Sequence, residues 1–140
     1  MVKQIYINLP IKNLERTKTF WSELGFTFNP QFTDEKAACL VLGENIYAML
    51  ITEKFFKTFL GSKTISDATK TAEVLNAVSV ESRALVDTIV EKALAIGGKP
   101  NRDKDDYGWM YSWSFQDPDG HIWEVLHTDE EALRKQTAHE

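Results

Sequence analysis

Apolar and polar residues alternate near the start of the chain and predict a strand that leads into a helix. From Ile5 to Ile11 every second residue is aliphatic, which is the period of a strand with one apolar face. Asn13 is a candidate N-cap for the next segment, where apolar residues recur at helical spacing until Gly25. The pattern therefore predicts one strand and one helix that bury facing apolar surfaces.

Three more strands are predicted before the middle of the chain, with a hairpin turn at residues 43–45 between the last two: 26–32, 37–42 and 46–52. Residues 54–71 then lose any regular apolar pattern, apart from a short amphipathic stretch around Phe55 and Phe59. We interpret this segment as a linker or flap.

The second half of the chain repeats this order of elements. Ser82 is a candidate cap for a second helix, which Gly97 ends. A polar turn at 101–106 precedes the last two strands, and the tail begins as a helix. The predicted strands of this half are 74–81, a short strand near Lys99, 109–116 and 122–128.

The repeated order predicts an α+β fold of two tandem βαβββ modules, whose curled mixed sheet surrounds a concave cup. The strand around Ala48 resembles the strand around Glu124 in residue type, so we align these two positions. A shared concave surface is the default position for a ligand. We expect a single domain, 1–140, divided into module one at about 3–53, the linker at about 54–71, module two at about 72–128 and a tail at 129–140.

Composition narrows the class of protein. The 140 residues carry a formal net charge of -5 and no basic stripe, which argues against nucleic-acid binding. The longest apolar run, 37–42, is far too short to span a membrane, and the N-terminus has no signal-peptide pattern. The single Cys39 excludes an internal disulfide and suits a reducing compartment. We expect a soluble cytoplasmic protein with a buried, inert thiol.

The segment 117–126 carries the strongest chemical signal. An Asp-Pro-Asp-Gly turn feeds an apolar strand that holds one carboxylate, Glu124, at its centre. A charge inside a buried strand is costly unless it is paired, protonated or bound to a metal. Glu124 is therefore the leading candidate site residue, and its surroundings decide its role.

Three segments of the chain resemble the vicinal oxygen chelate superfamily, also called the glyoxalase/bleomycin resistance/dioxygenase superfamily: 9–16, 20–26 and 117–124. The resemblance extends from about Lys3 to Thr128. It implies that enzymes of this kind hold one divalent metal in the cup, with ligands on inward-facing strand positions. Carried over to this chain, those positions are Tyr6, Ala48, Leu75 and Glu124.

Only Glu124 among these four positions is an ordinary metal ligand. The histidines do not compensate, because His121 and His127 lie at odd spacings from Glu124 along a strand and His139 lies in the tail. One carboxylate does not make a zinc, magnesium or manganese site. We therefore expect no cofactor, with a divalent metal at Glu124 as the disfavoured alternative.

Three functions remain open at this stage. The first is a metal-free protein that binds a small molecule with Tyr6, Asn8 and Glu124 as a polar patch. Leu75 and Ala48 would lie beside this patch, and a stacking wall would come from Trp109, Tyr111 and Trp113. An unneutralised carboxylate in the cup would favour a cationic ligand. The same face could instead be buried core, or Tyr6 could simply hydrogen-bond Glu124.

The second function is a lyase, isomerase or transferase of the glyoxalase/dioxygenase type. Glu124 would act there as a metal ligand or as a catalytic general base. The third is an interaction protein with a decayed pocket, in which Phe55, Phe56 and Phe59 form an interface. The resemblance also implies a homodimer. Neither a nucleic acid nor a membrane is expected as a partner.

Overall fold

The computed structural model describes residues 1–138, which form two compact units that divide after Asp67. Each unit contains one mixed sheet and at least two helices. The predicted α+β class is therefore confirmed, and neither sheet closes into a barrel. None of the helices within residues 1–138 is long and apolar enough to cross a membrane.

The first unit contains a four-stranded sheet in the order β1-β4-β3-β2, in which β1 runs parallel to β4 and the other pairs are antiparallel. The predicted strand 46–52 is confirmed at both ends. The elements are β1 (Ile5–Ile11), α1 (Leu14–Glu23), β2 (Thr27–Phe28), a 3-10 turn (Pro30–Phe32), β3 (Ala37–Gly43), β4 (Ile46–Thr52) and α2 (Glu53–Lys57).

The second unit repeats the motif, with its sheet in the order β5-β9-β8-β6 and β7 paired to β8. Again the first and last strands of the sheet motif, β5 and β9, are parallel. The elements are β5 (Leu75–Ser79), α3 (Arg83–Ala95), β6 (Lys99–Pro100), β7 (Asp105–Asp106), β8 (Met110–Gln116), β9 (Ile122–Thr128) and α4 (Glu130–Ala138).

Both predicted helix caps are present. The side chain of Asn13 accepts a hydrogen bond from the Arg16 backbone N–H at 3.0 Å, and Ser82 accepts one from the Leu85 N–H at 3.0 Å. Each cap satisfies a donor that the first turn of a helix leaves without an intrahelical partner. The short polar side chain before each apolar stripe therefore fixes where α1 and α3 begin.

Each unit buries its sheet under its long helix. Phe20 and Trp21 of α1 are buried, and so are Val86, Val90 and Ala93 of α3, which packs on β8 and β9. These side chains recur at the three- and four-residue spacing predicted from the sequence. Cys39 is fully buried in β3, and burial raises the pKa of its thiol, as expected for an inert cysteine.

Two predicted elements differ from the structure. The predicted strand over 26–32 is wrong, because β2 ends at Phe28 and a 3-10 turn follows. Asn29 caps that turn by accepting from the Gln31 N–H, while Pro30 has no N–H to give to a sheet. The predicted polar turn at 101–106 contains the short strand β7, which the sequence pattern did not reveal.

Candidate functional site

The Asp-Pro-Asp-Gly turn is organised around the buried side chain of Asp117. Asp117 Oδ1 accepts from the backbone N–H groups of Asp119 at 3.0 Å and His121 at 3.1 Å. Its Oδ2 accepts from Trp123 Nε1 at 3.0 Å. Burial raises the pKa of Asp117, against the opposing influence of His121 and the Trp123 donor. This carboxyl group sets the direction in which β9 leaves the turn, and therefore where Glu124 points.

Gly120 allows the end of the predicted linker to lie directly on this turn. Its φ is +91°, and a Cβ there would lie 2.8 Å from the backbone carbonyl of Ala68 and from the backbone nitrogen of Thr69. Only glycine tolerates both the backbone conformation and the close approach. The turn thus holds both the start of β9 and the chain that leads into β5.

Glu124 lies in the middle of β9, between Ala77 of β5 and Ser114 of β8. Because side chains alternate along strands, Leu75 and Ile122 share its face of the sheet. We call this surface of the second unit the Glu124 face. Leu75 is 59% exposed, whereas the side chain of Glu124 is only 25% exposed. The carboxylate is therefore partly buried beside an open apolar side chain.

Arg102 is the partner of this carboxylate. Its Nε lies 3.9 Å from Glu124 Oε1, and its Nη2 forms an ion pair with Asp105. Asn101 secures the same segment, because its Nδ2 donates to Ser114 Oγ at 3.0 Å. The Glu124 face thus carries one guanidinium between two carboxylates. It does not carry the isolated negative charge that the sequence suggested.

Sequence reasoning missed Arg102 because it belongs to a segment that looked like a plain polar turn. The segment is placed by β7, where Asp105 pairs with Ser112 and Asp106 pairs with Tyr111 of β8. A strand of two residues leaves no periodic signal in the sequence. Only the structure shows that Arg102 contacts Glu124, whereas Lys104 and Asp106 contact Asp87 and Arg83.

Tyr111 and Trp113 lie on the opposite face of the sheet from Glu124. Tyr111 pairs with His127 and Trp113 with Val125, whereas the residue opposite Glu124 is Ser114. Because side chains alternate between the two faces of a strand, both rings point towards α3. The stacking wall expected beside Glu124 is not formed by these two residues.

Tyr111 is instead the centre of a charged network that joins β7, β8 and α3. Its hydroxyl donates to Asp87 Oδ1 at 2.5 Å, and Lys104 Nζ lies 3.4 Å from the same oxygen. The Arg83 guanidinium lies 4.4 Å from the Tyr111 ring centre and also pairs with Asp106. Burial raises the pKa of Tyr111, and the bond to Asp87 raises it further.

Trp109, the third residue of the expected stacking wall, lies just before β8. Its ring stacks on Tyr107 with 6.3 Å between the centroids, and its carbonyl accepts from the Asp129 N–H at 2.7 Å. Trp109 therefore links the loop before β8 to the residue that precedes α4. This position gives it a local packing role.

Tyr6 and Asn8 share one face of the first unit's sheet. The Tyr6 ring stacks on its strand partner Tyr47 at 4.8 Å, and its hydroxyl donates to Gln4 Oε1 at 3.1 Å. Asn8 Nδ2 donates to the Tyr6 carbonyl at 3.1 Å. The structure thus places these two residues beside each other, with local partners.

Ala48 does not share that face, so its expected placement is wrong. Ala48 pairs with Ile7 and is fully buried, whereas Met49 pairs with Asn8. Asn8 and Ala77 each lie five residues before the cap of the following helix, so they occupy corresponding positions in the two units. Ala77 pairs with Glu124, just as Asn8 pairs with Met49. Met49 is therefore the counterpart of Glu124. Matching Ala48 instead shifted the alignment by one residue, which transfers a side chain to the other face of a strand.

A separate cavity of about 690 Å³ lies in the second unit and excludes both Glu124 and Arg102. Its lining is mainly polar and acidic: Ser79, Val80, Glu81, His127, Thr128, Asp129, Glu130 and Glu131. The Glu124 face and this cavity are therefore two distinct sites of the same unit.

Comparison with known proteins shows which proteins this chain resembles. A family model described as bleomycin resistance protein-like N-terminal matches residues 3–43. No curated protein sequence matches the chain. Among solved structures, hypothetical protein SA1046 from S. aureus is 27% identical, with a TM-score of 0.74 over 91% of this chain and 95% of that chain.

Two further structures carry family names. A glyoxalase-related enzyme from Fulvimarina pelagi is 23% identical, with a TM-score of 0.76 over 91% of this chain and 89% of that chain. A glyoxalase/bleomycin resistance protein/dioxygenase family enzyme from Burkholderia phytofirmans PsJN is 16% identical, with a TM-score of 0.72 over 88% and 96%. The chain shares the fold of these glyoxalase-like proteins. The resemblance seen in the three sequence segments is thereby confirmed.

The described residues do not fit the divalent metal that the vicinal oxygen chelate resemblance implies. On the Glu124 face, Leu75 and Ala77 have no donor atoms, and the nearest charged group to Glu124 is the Arg102 cation. Within residues 1–138, no three His, Cys, Asp or Glu side chains are grouped to hold a metal.

The histidines of the chain are placed away from the Glu124 face or beyond the described residues. His121 is buried in the Asp117 turn, and His127 faces the α3 side with its Nδ1 3.0 Å from the Val80 carbonyl. His139, which was considered as a ligand, lies outside the described residues.

Proposed function

We propose that this chain is a small-molecule-binding protein of the glyoxalase/bleomycin resistance type that works without a bound metal, and that its ligand contacts the Glu124 face. The observation that carries this proposal is the position of Arg102, 3.9 Å from Glu124. A guanidinium beside the carboxylate supplies positive charge where the resemblance implies a metal ion. A divalent cation at Glu124 would be repelled by that fixed charge.

The surroundings of Glu124 support ligand binding rather than a purely structural ion pair. Leu75 is a large apolar residue that remains 59% exposed on the same face. Arg102 is 53% exposed, so its charge is accessible to an incoming group. Apolar surface beside a few fixed polar groups is the usual composition of a small-molecule site.

Elemental analysis and thermal-shift screening test this function together. Protein dialysed against Mn²⁺, Ni²⁺ and Zn²⁺ and then against buffer should retain no stoichiometric metal. A ligand found by screening should raise the melting temperature of the wild type by mass action. The same ligand should have little effect on Glu124→Gln, while the control Glu91→Gln, on the exposed side of α3, should respond like the wild type. A metal ion retained by the wild type and lost in Glu124→Gln would refute the proposal.

The homodimer and the cytoplasmic location stay predictions. Light scattering coupled to size-exclusion chromatography measures the first directly, with a mass of twice 16.0 kDa expected for a dimer. A mass of a single chain at micromolar concentration would exclude the dimer.

A further inference from the structure

We infer that the ligand of the Glu124 face is a zwitterion of the amino-acid class, with a carboxylate for Arg102, an ammonium group for Glu124 and an apolar side chain. This inference rests on the proposed function, because it uses the same face of the second unit. Three features of that face specify the three parts of the ligand: the unused donors of Arg102, the acceptors of Glu124 and the exposed surface of Leu75.

The guanidinium of Arg102 has N–H donors that can bind a ligand. Nη2 binds Asp105 and Nε faces Glu124, while Nη1 has no partner among residues 1–138. A guanidinium carries five N–H donors in a planar fork, and its Nη1/Nη2 edge matches the two oxygens of a carboxylate. The ion pair with Asp105 fixes the plane of this fork before any ligand arrives. Nη1, beside the Nη2 that holds Asp105, therefore provides a prepared position for an oxygen of a carboxylate.

The carboxylate of Glu124 lacks hydrogen bonds of its own. The 3.9 Å to Arg102 Nε is an ion-pair distance beyond a hydrogen bond, and no residue in 1–138 donates to either Glu124 oxygen. Arg102 is shared between Asp105 and Glu124, so these two carboxylates together carry one more negative charge than the guanidinium neutralises. A partly buried carboxylate without donors attracts a cationic donor such as an ammonium group.

Leu75 and Ile122 supply the apolar part of the same face. They are paired across β5 and β9, two residues before Ala77 and Glu124 respectively. Strand geometry puts them about 7 Å along the sheet from the carboxylate. This distance suits a ligand whose charged end reaches Glu124 and whose side chain lies on Leu75.

The test uses phenylalanine or leucine and two derivatives that each remove one charge. N-acetylphenylalanine keeps the carboxylate and loses the ammonium group, whereas phenylalaninamide keeps the ammonium group and loses the carboxylate. Thermal shift and calorimetry on the whole protein should show millimolar or tighter binding of a free apolar amino acid. Each derivative should bind at least tenfold more weakly.

Two variants separate the roles of the charged residues. Arg102→Met should weaken binding of the free amino acid at least tenfold and leave the already weak binding of phenylalaninamide unchanged. Glu124→Gln should weaken binding of the free amino acid and leave binding of N-acetylphenylalanine unchanged. Arg134→Met, on α4, is the matched control and should bind like the wild type. Circular dichroism of each variant without ligand checks that it is folded.

Distinct results overturn the inference and the proposed function. If phenylalaninamide binds as well as phenylalanine, the zwitterion inference fails while a metal-free site at Glu124 stands. If no free amino acid binds at ten millimolar, the inference also fails. A metal ion coordinated by Glu124 would instead overturn the proposed function itself, and with it the inference.

Discussion

The hydroxyl of Tyr111 donates a 2.5 Å hydrogen bond to Asp87, so a buried ring of β8 is tied to α3. Lys104 shares the same carboxylate and lies 4.4 Å from the centre of the Trp113 ring. Lys104 and Arg102 are two residues apart in the segment beside β8. The bond from Tyr111 to Asp87 therefore helps to hold the segment that presents Arg102 to Glu124.

This bond should be visible in a tyrosine titration. Burial and the bond to Asp87 raise the pKa of Tyr111, so the folded state retains the phenol proton more strongly than the unfolded chain. The stabilisation is complete below the unfolded value of about 10 and is lost as pH rises through the folded pKa. Ultraviolet titration should show one late tyrosinate transition that Tyr111→Phe removes and Asp87→Asn shifts to lower pH. A late transition that persists in Tyr111→Phe would contradict the assignment.

Arg83 should control the titration of Asp106. A hydrogen bond from Arg83 lowers the pKa of Asp106, and the Gly108 N–H lowers it further. The contribution of this pair to stability is therefore present above the unfolded pKa and is lost as pH falls through the lower folded pKa. Carboxyl carbon NMR should show the pKa of Asp106 rising in Arg83→Met and unchanged in Arg134→Met. An unchanged Asp106 titration in Arg83→Met would refute the pairing.

Gly120 should resist substitution more than another glycine of similar backbone conformation. Gly120→Ala adds left-handed strain to a 2.8 Å clash with the Ala68 backbone, which together should cost about 3 kcal/mol or more. Gly108 has φ +80° and open space around it, so Gly108→Ala isolates the strain, at about 1–2 kcal/mol. Urea unfolding measures both changes. Equal losses in the two variants would show that the chain at Ala68 does not lie on the turn.

Asp117 should be a large contributor to the stability of the second unit. Asp117→Ala leaves three N–H donors without their acceptor in a buried turn, which should cost about 3 kcal/mol or more. The exposed Asp103 gives the control Asp103→Ala, whose effect should stay within about 0.5 kcal/mol. Urea unfolding again provides the measurement. A loss below about 1 kcal/mol in Asp117→Ala would mean that water replaces the carboxylate without cost.

Local signals predicted much of the fold. The caps Asn13 and Ser82 and the strand 122–128 follow from side-chain chemistry and from a period of two, both of which depend on neighbouring residues only. The strand ending at Phe28 shows the limit of that approach. There, Asn29 and Pro30 favour a turn over the continuation of an apolar pattern.

The site was less predictable because it depends on pairing between distant segments. Glu124 was found from its own strand, but its partner Arg102 is brought to it by β7, which has no sequence signature. The role of Ala48 depended on an alignment accurate to one residue, and only the pairing of Asn8 with Met49 supplies that accuracy.

The central claim is that Glu124 is paired with Arg102 and holds no divalent metal. Paramagnetic Mn²⁺ added to the ¹⁵N-labelled protein tests it directly, because amide signals within roughly ten ångströms of a bound ion broaden. We expect no selective broadening of the amides of Glu124, Val125 and Ala77 at equimolar Mn²⁺. Selective broadening centred on Glu124 and abolished by Glu124→Gln would contradict the account.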